Sequence, residues 1–385
     1  MDEKEKMGVL GYMKRAGLAP PKMLTLMITN GCNLQCIHCW PQSRSPKTVS
    51  PVPKGKLQRC IREFVELGCE EVCLSGGEPL THPDWFQILR VSCGLPGVRR
   101  VRLQTNATLL SEEDVKALAS LGFKGLWIQV SLEGATATIH DRVCGSGSFD
   151  RTLRGLRLLV QAGLGKRTEV AFTEMRHNFQ DLPQVLRLLD NLGVGRLVSG
   201  TLVRAGRAAK TDYLALPSPS QYKDLLARYH KDAEFRERYE RMGTIACLEW
   251  LKGRFDSSTQ NCACVERPYV DAEGRMYPCE ILPIEKYAVQ GVHEQSMAAI
   301  LRQGVSKWAE LPALYGRRFI ELKACRSCLG RLHCGGGCLG RAYASTGDPM
   351  NVEDRCNLRK AVYSWEEPML PGPRFHDPGS RFEHR

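Results

Sequence analysis

Thr29-Asn30-Gly31-Cys32-Asn33-Leu34-Gln35-Cys36-Ile37-His38-Cys39-Trp40 carries three thiols in the order Cys-x3-Cys-x2-Cys. One cubane iron–sulfur cluster takes three thiolates if its fourth iron stays open, and that open iron is where chemistry would happen. The thiols stand too close for a tetrahedral zinc bound by ligands all in sequence, and the stretch lacks the fourth ligand of a closed structural site. Pairing into disulfides would leave one thiol over.

The chain has 385 residues, 17 of them cysteine. Its length suits two domains, or one large domain with an appendage, at ~100–200 residues each. Clustering of the cysteines at short spacings fits metal binding better than a disulfide scaffold. The start, Met1-Asp2-Glu3-Lys4-Glu5-Lys6, has no apolar stretch behind it, and no segment approaches the ~18 apolar residues of a membrane span. A reducing cytoplasm is the expected location. The formal charge of +12 counts every cysteine as neutral, so thiolates on clusters would lower it. Arg151, Arg154, Arg157 and Arg187 are scattered along helical stretches without interleaved aromatics, which reads as solvated surface and not as a nucleic-acid site.

From residue 23 to about 207, strand-like runs alternate with amphipathic helical stretches, the pattern of repeated βα units on a parallel sheet. Strands are expected at 23–29, 71–75, 100–104, 125–132, 168–173 and 196–203. Helices are expected at 54–67, 111–121, 150–161 and 182–192, with Ser111 and Ser148 as caps and Gly68, Gly122, Gly163 and Gly193 at their ends. In such sheets ligands collect where the βα loops converge, at the carboxyl ends of the strands. The three-cysteine loop, Ser75-Gly76-Gly77-Glu78-Pro79, Thr105-Asn106-Ala107 and Ser131-Leu132-Glu133-Gly134 all fall on that edge. A charged helical connector follows, and nine cysteines then fall between Cys247 and Cys356. The stretch from Asp271 to Cys279 reads as a hairpin turning at Gly274. The Pro-rich end reads as a loose tail.

The three-cysteine stretch resembles the signature of the radical S-adenosylmethionine (SAM) enzymes, in which the cofactor's amino and carboxylate groups chelate the open iron. The resemblance implies that Cys32, Cys36 and Cys39 hold a [4Fe–4S] cluster. It places Gly76, Gly77, Glu78 and Pro79 at the SAM amino group, where glycines allow close approach, Glu78 can accept from the ammonium and Pro79 sets the turn. It assigns Asn106 and Ser131 further contacts to the cofactor, and His38 a packing role. Cys144 stands where the peptide-modifying branch often has arginine.

The ordered set from Cys264 through Gly274, Cys279, Cys325-x2-Cys328-x5-Cys334-x3-Cys338 to Cys356 resembles the SPASM extension of these enzymes, which carries two auxiliary [4Fe–4S] clusters. Carried over by position, Cys325, Cys328, Cys334 and Cys356 would hold the distal cluster. Cys279 and Cys338 would join Cys262 and Cys264 on the nearer one, with Cys247 able to replace Cys262. Cys60, Cys69, Cys73, Cys93 and Cys144 have no ligand spacing and read as small buried residues. Glu280 matches a position where sulfatase-maturing relatives have a carboxylate base.

The expected architecture is thus α/β: an extension at 1–21, a partial (β/α)6 TIM-type barrel at 22–215, a connector at 216–244, a SPASM domain with a β-hairpin at 245–362, and a flexible tail at 363–385. The resemblance implies three [4Fe–4S] clusters and SAM. It implies a 5′-deoxyadenosyl radical that abstracts hydrogen to oxidise or cross-link a substrate, most often a ribosomal peptide or protein side chain. The alternatives are oxidative tailoring of a small cofactor such as a haem precursor, and a non-catalytic iron–sulfur electron carrier. The implied partners are a low-potential donor such as flavodoxin or ferredoxin and, given the short N-terminal extension, a separate leader-peptide-binding protein.

Overall fold

The computed structural model describes residues 3–254 and 262–366. Six parallel strands run in chain order around a partial barrel: β1 (Met23–Met27), β2 (Glu71–Ser75), β3 (Arg100–Thr105), β4 (Leu126–Ser131), β5 (Thr168–Glu174) and β6 (Arg196–Thr201). All six lie within two residues of the sequence-based bounds at either end. A short strand β7 (Gly243–Thr244) closes the β6 edge, and the antiparallel pair β8 (Tyr269–Val270) and β9 (Met276–Tyr277) extends the β1 edge.

Alternation along the strands decides what the barrel holds. Leu24, Leu26, Val72, Leu74, Val101, Leu103, Ile128, Val130, Val170 and Phe172 are buried in the main core. That core also takes Leu57, Ile61 and Phe64 of the helix Lys54–Glu66, and Val185, Leu186 and Leu189 of the helix Leu182–Leu192, the i, i+3, i+4, i+7 stripe of an amphipathic helix. Burial of each such side chain contributes about 1.5–3 kcal/mol. The intervening residues, Thr25, Cys73, Arg102, Gln104 and Gln129, line a cavity instead. Parallel strands are usually apolar on both faces; here the inner face is polar because it bounds a chamber.

Ser111 caps its helix in a capping box with Asp114, as its spacing implied. Ser148 does not cap. It is the first residue of the helix Ser148–Gln161, and Asp141 does the capping from the preceding helix, accepting from the amides of Gly147 and Phe149 and from the Ser148 hydroxyl. The four helix-ending glycines all have positive φ, from 63° to 98°. The connector forms two helices, Pro219–Lys231 and Ala233–Met242. Packing continues past residue 363, where the flexible tail was expected: Tyr363 and Trp365 are buried, and Trp365 O accepts from Arg254 Nη1 at 2.7 Å. The rest of that expected tail, 367–385, lies outside the described residues.

Arg341 clamps the cysteine-rich region to the barrel. It is buried, donates to the carbonyls of Thr201 (3.1 Å) and Leu202 at the end of β6, and pairs with Asp354 at 2.8 Å. Replacing it with Met strands Asp354 and two carbonyls, so Arg341→Met is expected to cost about 3–5 kcal/mol. Thermal or urea unfolding of the apoprotein measures this.

Candidate active site

The loop after β1 is held by its own backbone. Cys32 N donates to Arg44 O at 2.7 Å, Arg44 N to Asn30 O at 2.9 Å, and Gly31 N to the Thr29 hydroxyl at 2.9 Å. Arg207, far away in sequence, clasps the same loop by donating to Cys36 O (2.8 Å) and Ser43 O (2.7 Å). Cys32, Cys36 and Cys39 thereby line one cavity of about 270 Å³ at the carboxyl ends of the strands.

The turn after β2 forms the adjoining wall. Gly77 N donates to Thr29 O and Glu78 N to Gly31 O, each at 2.8 Å. A Cβ on Gly77 would meet Gly31 O at 2.3 Å, so only glycine lets the turn lie against the cysteine loop. Gly76, Gly77, Asn106 and Ser131 line the cavity; Glu78 and Pro79 do not. Glu78 turns its carboxylate inward, accepting from Thr105 Oγ1 (2.7 Å), Asn106 N (2.7 Å) and Leu80 N (3.2 Å), and burial pushes it up to about 7. In this arrangement it fixes the Asn106 backbone beside the cavity. Asn106 Nδ2 then donates to Asn33 Oδ1 at 3.0 Å.

His38 faces Glu133 at 3.4 Å. Burial alone would push the imidazole down, but the carboxylate more than offsets this and holds it up. Cys144, read from sequence as an inert core residue, is buried yet lines this cavity, its sulfur within 4.8 Å of the ligand atoms of Cys36 and His38. A hydrogen bond from Cys144 holds the Cys36 thiol at about 7, whereas burial pushes Cys32 up to about 12. Three thiols around a cavity walled by glycine backbone suit a cluster bearing a ligand with amino and carboxylate groups.

The hairpin brings the second set of cysteines to the barrel. Asp271 Oδ1 accepts from Glu273 N and Arg275 N, Gly274 turns with φ +78°, and the pairing of β8 with β1 delivers Cys279 and Glu280 to the inner face. Cys262, Cys264, Cys279 and Cys338 line a second cavity of about 480 Å³, with the Cys262 and Cys264 sulfurs 3.0 Å apart. Cys247 lines neither cavity; it is buried among core side chains in the helix Ala246–Gly253. Cys325, Cys328, Cys334 and Cys356 gather around a third, smaller cavity.

The first two cavities share Thr25, Gln104, Gln129 and Glu280 in their walls, so they meet at a neck across the barrel. Gln104 donates to Gln129 (2.8 Å), Gln129 to Glu169 (2.7 Å), and Arg102 pairs with Glu169 (3.2 Å). Glu280 exposes its side chain to this chamber. Desolvation pushes its carboxyl up, with Arg102 and Arg267 pulling the other way.

Residues 26–189 match the Radical SAM superfamily. The chain belongs to the radical SAM enzymes. It is 29% identical over 362 residues to the AdoMet-dependent heme synthase of Methanosarcina barkeri, covering 88% of this chain and 97% of that one. It is 27% identical over 378 residues to the mycofactocin maturase MftC of Mycobacterium ulcerans, covering 96% and 95%. Its fold is similar to native anSMEcpe with bound AdoMet, with a TM-score of 0.70 at 18% identity over 89% of this chain and 96% of that one.

Within this radical SAM enzyme the spacing of the cysteines was visible along the chain, but Arg207, the pairing of Glu133 with His38 and the Arg102–Glu169–Gln129–Gln104 ladder were not picked out. The available signal for the ladder was polar residues at alternate positions of strands that a packed barrel would keep apolar. Among the described residues no helix is long and apolar enough to cross a membrane.

Proposed function

We propose that this radical SAM enzyme oxidises or cross-links a substrate held in the chamber between the cavity of Cys32, Cys36 and Cys39 and the cavity of Cys262, Cys264, Cys279 and Cys338. The observation that carries the reading is the neck at Thr25, Gln104, Gln129 and Glu280, which joins the two cavities and puts a carboxylate between them. When bound, the cluster on Cys32, Cys36 and Cys39 supplies the electron that splits SAM into methionine and a 5′-deoxyadenosyl radical. The chain's part is to orient and to shield: Gly76, Gly77, Asn106 and Ser131 wall the cofactor's place, Gln104 and Gln129 offer polar contacts, and Glu280 takes a proton from the oxidised substrate. Cys262, Cys264, Cys279 and Cys338 fit one auxiliary cluster, which would take the electron released as the substrate radical is oxidised, and Cys325, Cys328, Cys334 and Cys356 fit another, giving three with the first.

A ribosomal peptide or protein side chain is the proposed substrate, in line with the similarity to a mycofactocin maturase across nearly the whole chain. Oxidative tailoring of a haem precursor is the second reading. It is favoured by the similarity to a heme synthase and by Arg102 and Arg267 on the inner cavity, which suit substrate carboxylates. We further propose a reducing cytoplasmic setting, a flavodoxin- or ferredoxin-like donor, a separate leader-binding protein for a peptide substrate, and a division into barrel, connector and cysteine-rich domains at about residues 215 and 245.

The decisive experiment is anaerobic reconstitution. About twelve irons per chain are expected, four for each cubane, with 5′-deoxyadenosine released on adding SAM and a reductant. Iron without 5′-deoxyadenosine under any reductant would turn the assignment to an electron carrier.

A further inference from the structure

The cysteine-rich region holds more buried positive charge than its own carboxylates balance. Arg318 is fully buried; its Nη1 donates to Gly337 O at 2.6 Å and its Nη2 to Gly336 O at 2.7 Å and Asn351 O at 2.8 Å. Among the described residues no carboxylate oxygen is paired with it, and its Nε–H has no acceptor. Glu353 is already engaged by Arg355 (2.6 Å), Arg359 (2.7 Å) and the Cys338 amide (2.9 Å). Three guanidinium groups around one carboxylate leave an excess of two positive charges, which a protein interior does not tolerate without counter-charge.

The position of this excess is informative. The loop Cys334-Gly335-Gly336-Gly337-Cys338, whose carbonyls Arg318 grips, runs between the second and third cavities, and Cys334 and Arg359 line both. Among the described residues that line these two cavities, Glu280 is the one carboxylate besides Glu353, and the thiols of the two cysteine sets are the remaining source of negative charge beside the arginines. A [4Fe–4S] cube with four thiolates is a dianion at its oxidised resting level, and nearby cations and N–H donors to its sulfurs raise its reduction potential.

Resting on the reading that two auxiliary clusters fill these cavities, we propose that Arg318 is a positioning residue that sets their potential. It fixes the loop carrying one ligand of each cluster, and its unbonded Nε–H and buried charge stabilise the reduced, more negative state. With both clusters bound, Arg318 would make them better electron acceptors than the same cubes without it.

The test compares wild-type, Arg318→Gln and Arg318→Lys holoenzymes, reconstituted without oxygen, by iron content and EPR-monitored redox titration in the absence of SAM. In Arg318→Gln the oxidised-to-reduced ratio of an auxiliary cluster should rise about tenfold at a fixed potential, about 59 mV for a one-electron couple. Arg318→Lys should lie close to wild type. Iron lost in Gln but kept in Lys is the stronger form of the same result. Unchanged potentials in an iron-replete Gln variant overturn the proposal. So does iron loss in both variants with circular dichroism unchanged, which would make Arg318 a brace for the carbonyls alone. A wild-type chain binding only about four irons would instead sink the twin-cluster reading.

Discussion

Cys36→Ala protein, reconstituted without oxygen, is expected to hold about eight irons per chain in place of about twelve and to release 5′-deoxyadenosine only at the background rate of protein-free mixtures. The argument is one of donor count. Cys32, Cys36 and Cys39 are the thiols that the loop after β1 turns into the first cavity, and a cube short of a thiolate has nothing to anchor that iron. Cys144 is the one neighbour that could disguise the result, because its sulfur lies close to Cys36. The double variant Cys36→Ala/Cys144→Ala closes that route. SAM cleavage retained in the double variant would remove the radical assignment, whatever iron the auxiliary sites hold. The loop itself should survive the change, since Arg207 grips the Cys36 carbonyl and not its sulfur.

Glu280→Gln is expected to separate cofactor cleavage from substrate oxidation. The side chain stands at the neck shared by the two large cavities, whereas Gly76, Gly77 and Asn106 line the first cavity alone, so 5′-deoxyadenosine formation should continue within about threefold of wild type. Oxidised product should fall by about 10²–10⁴, the usual worth of a general base, because an amide cannot take the proton released as the substrate radical is oxidised. Measuring both products in one anaerobic assay gives the ratio directly. Equal losses of the two would place Glu280 in cofactor binding, and no loss in either would make it a wall residue.

Much of the architecture could be read along the chain. Six strands and four helices follow from periodicity, and the hairpin at Gly274 from its turn residues, because each is a local pattern answering to backbone geometry. What the sequence did not show was non-local. Ser148 was taken for a cap on its position alone, yet Asp141, seven residues earlier and on another helix, was the better-placed acceptor. Cys144 had no spacing partner in sequence, and only the approach of the helix Ala137–Cys144 to the first cysteine loop gave it Cys36 as a neighbour. Nothing near Glu78 in sequence announced Thr105 and Asn106, which β3 supplies as donors to its carboxylate.

The sequence by itself determined the donors and their grouping: three thiols after the first strand, a glycine turn after the second, and a second cysteine set beyond a helical connector. These are short-range facts, since ligands a few residues apart share a loop in any fold that contains them. The tertiary structure alone put Cys262, and not Cys247, in the wall of the second cavity, brought Glu280 into the barrel through the pairing of β8 with β1, and set Arg318 between two cysteine groups. Those outcomes depend on which buried surfaces meet across hundreds of residues, and spacing along a chain carries no information about that.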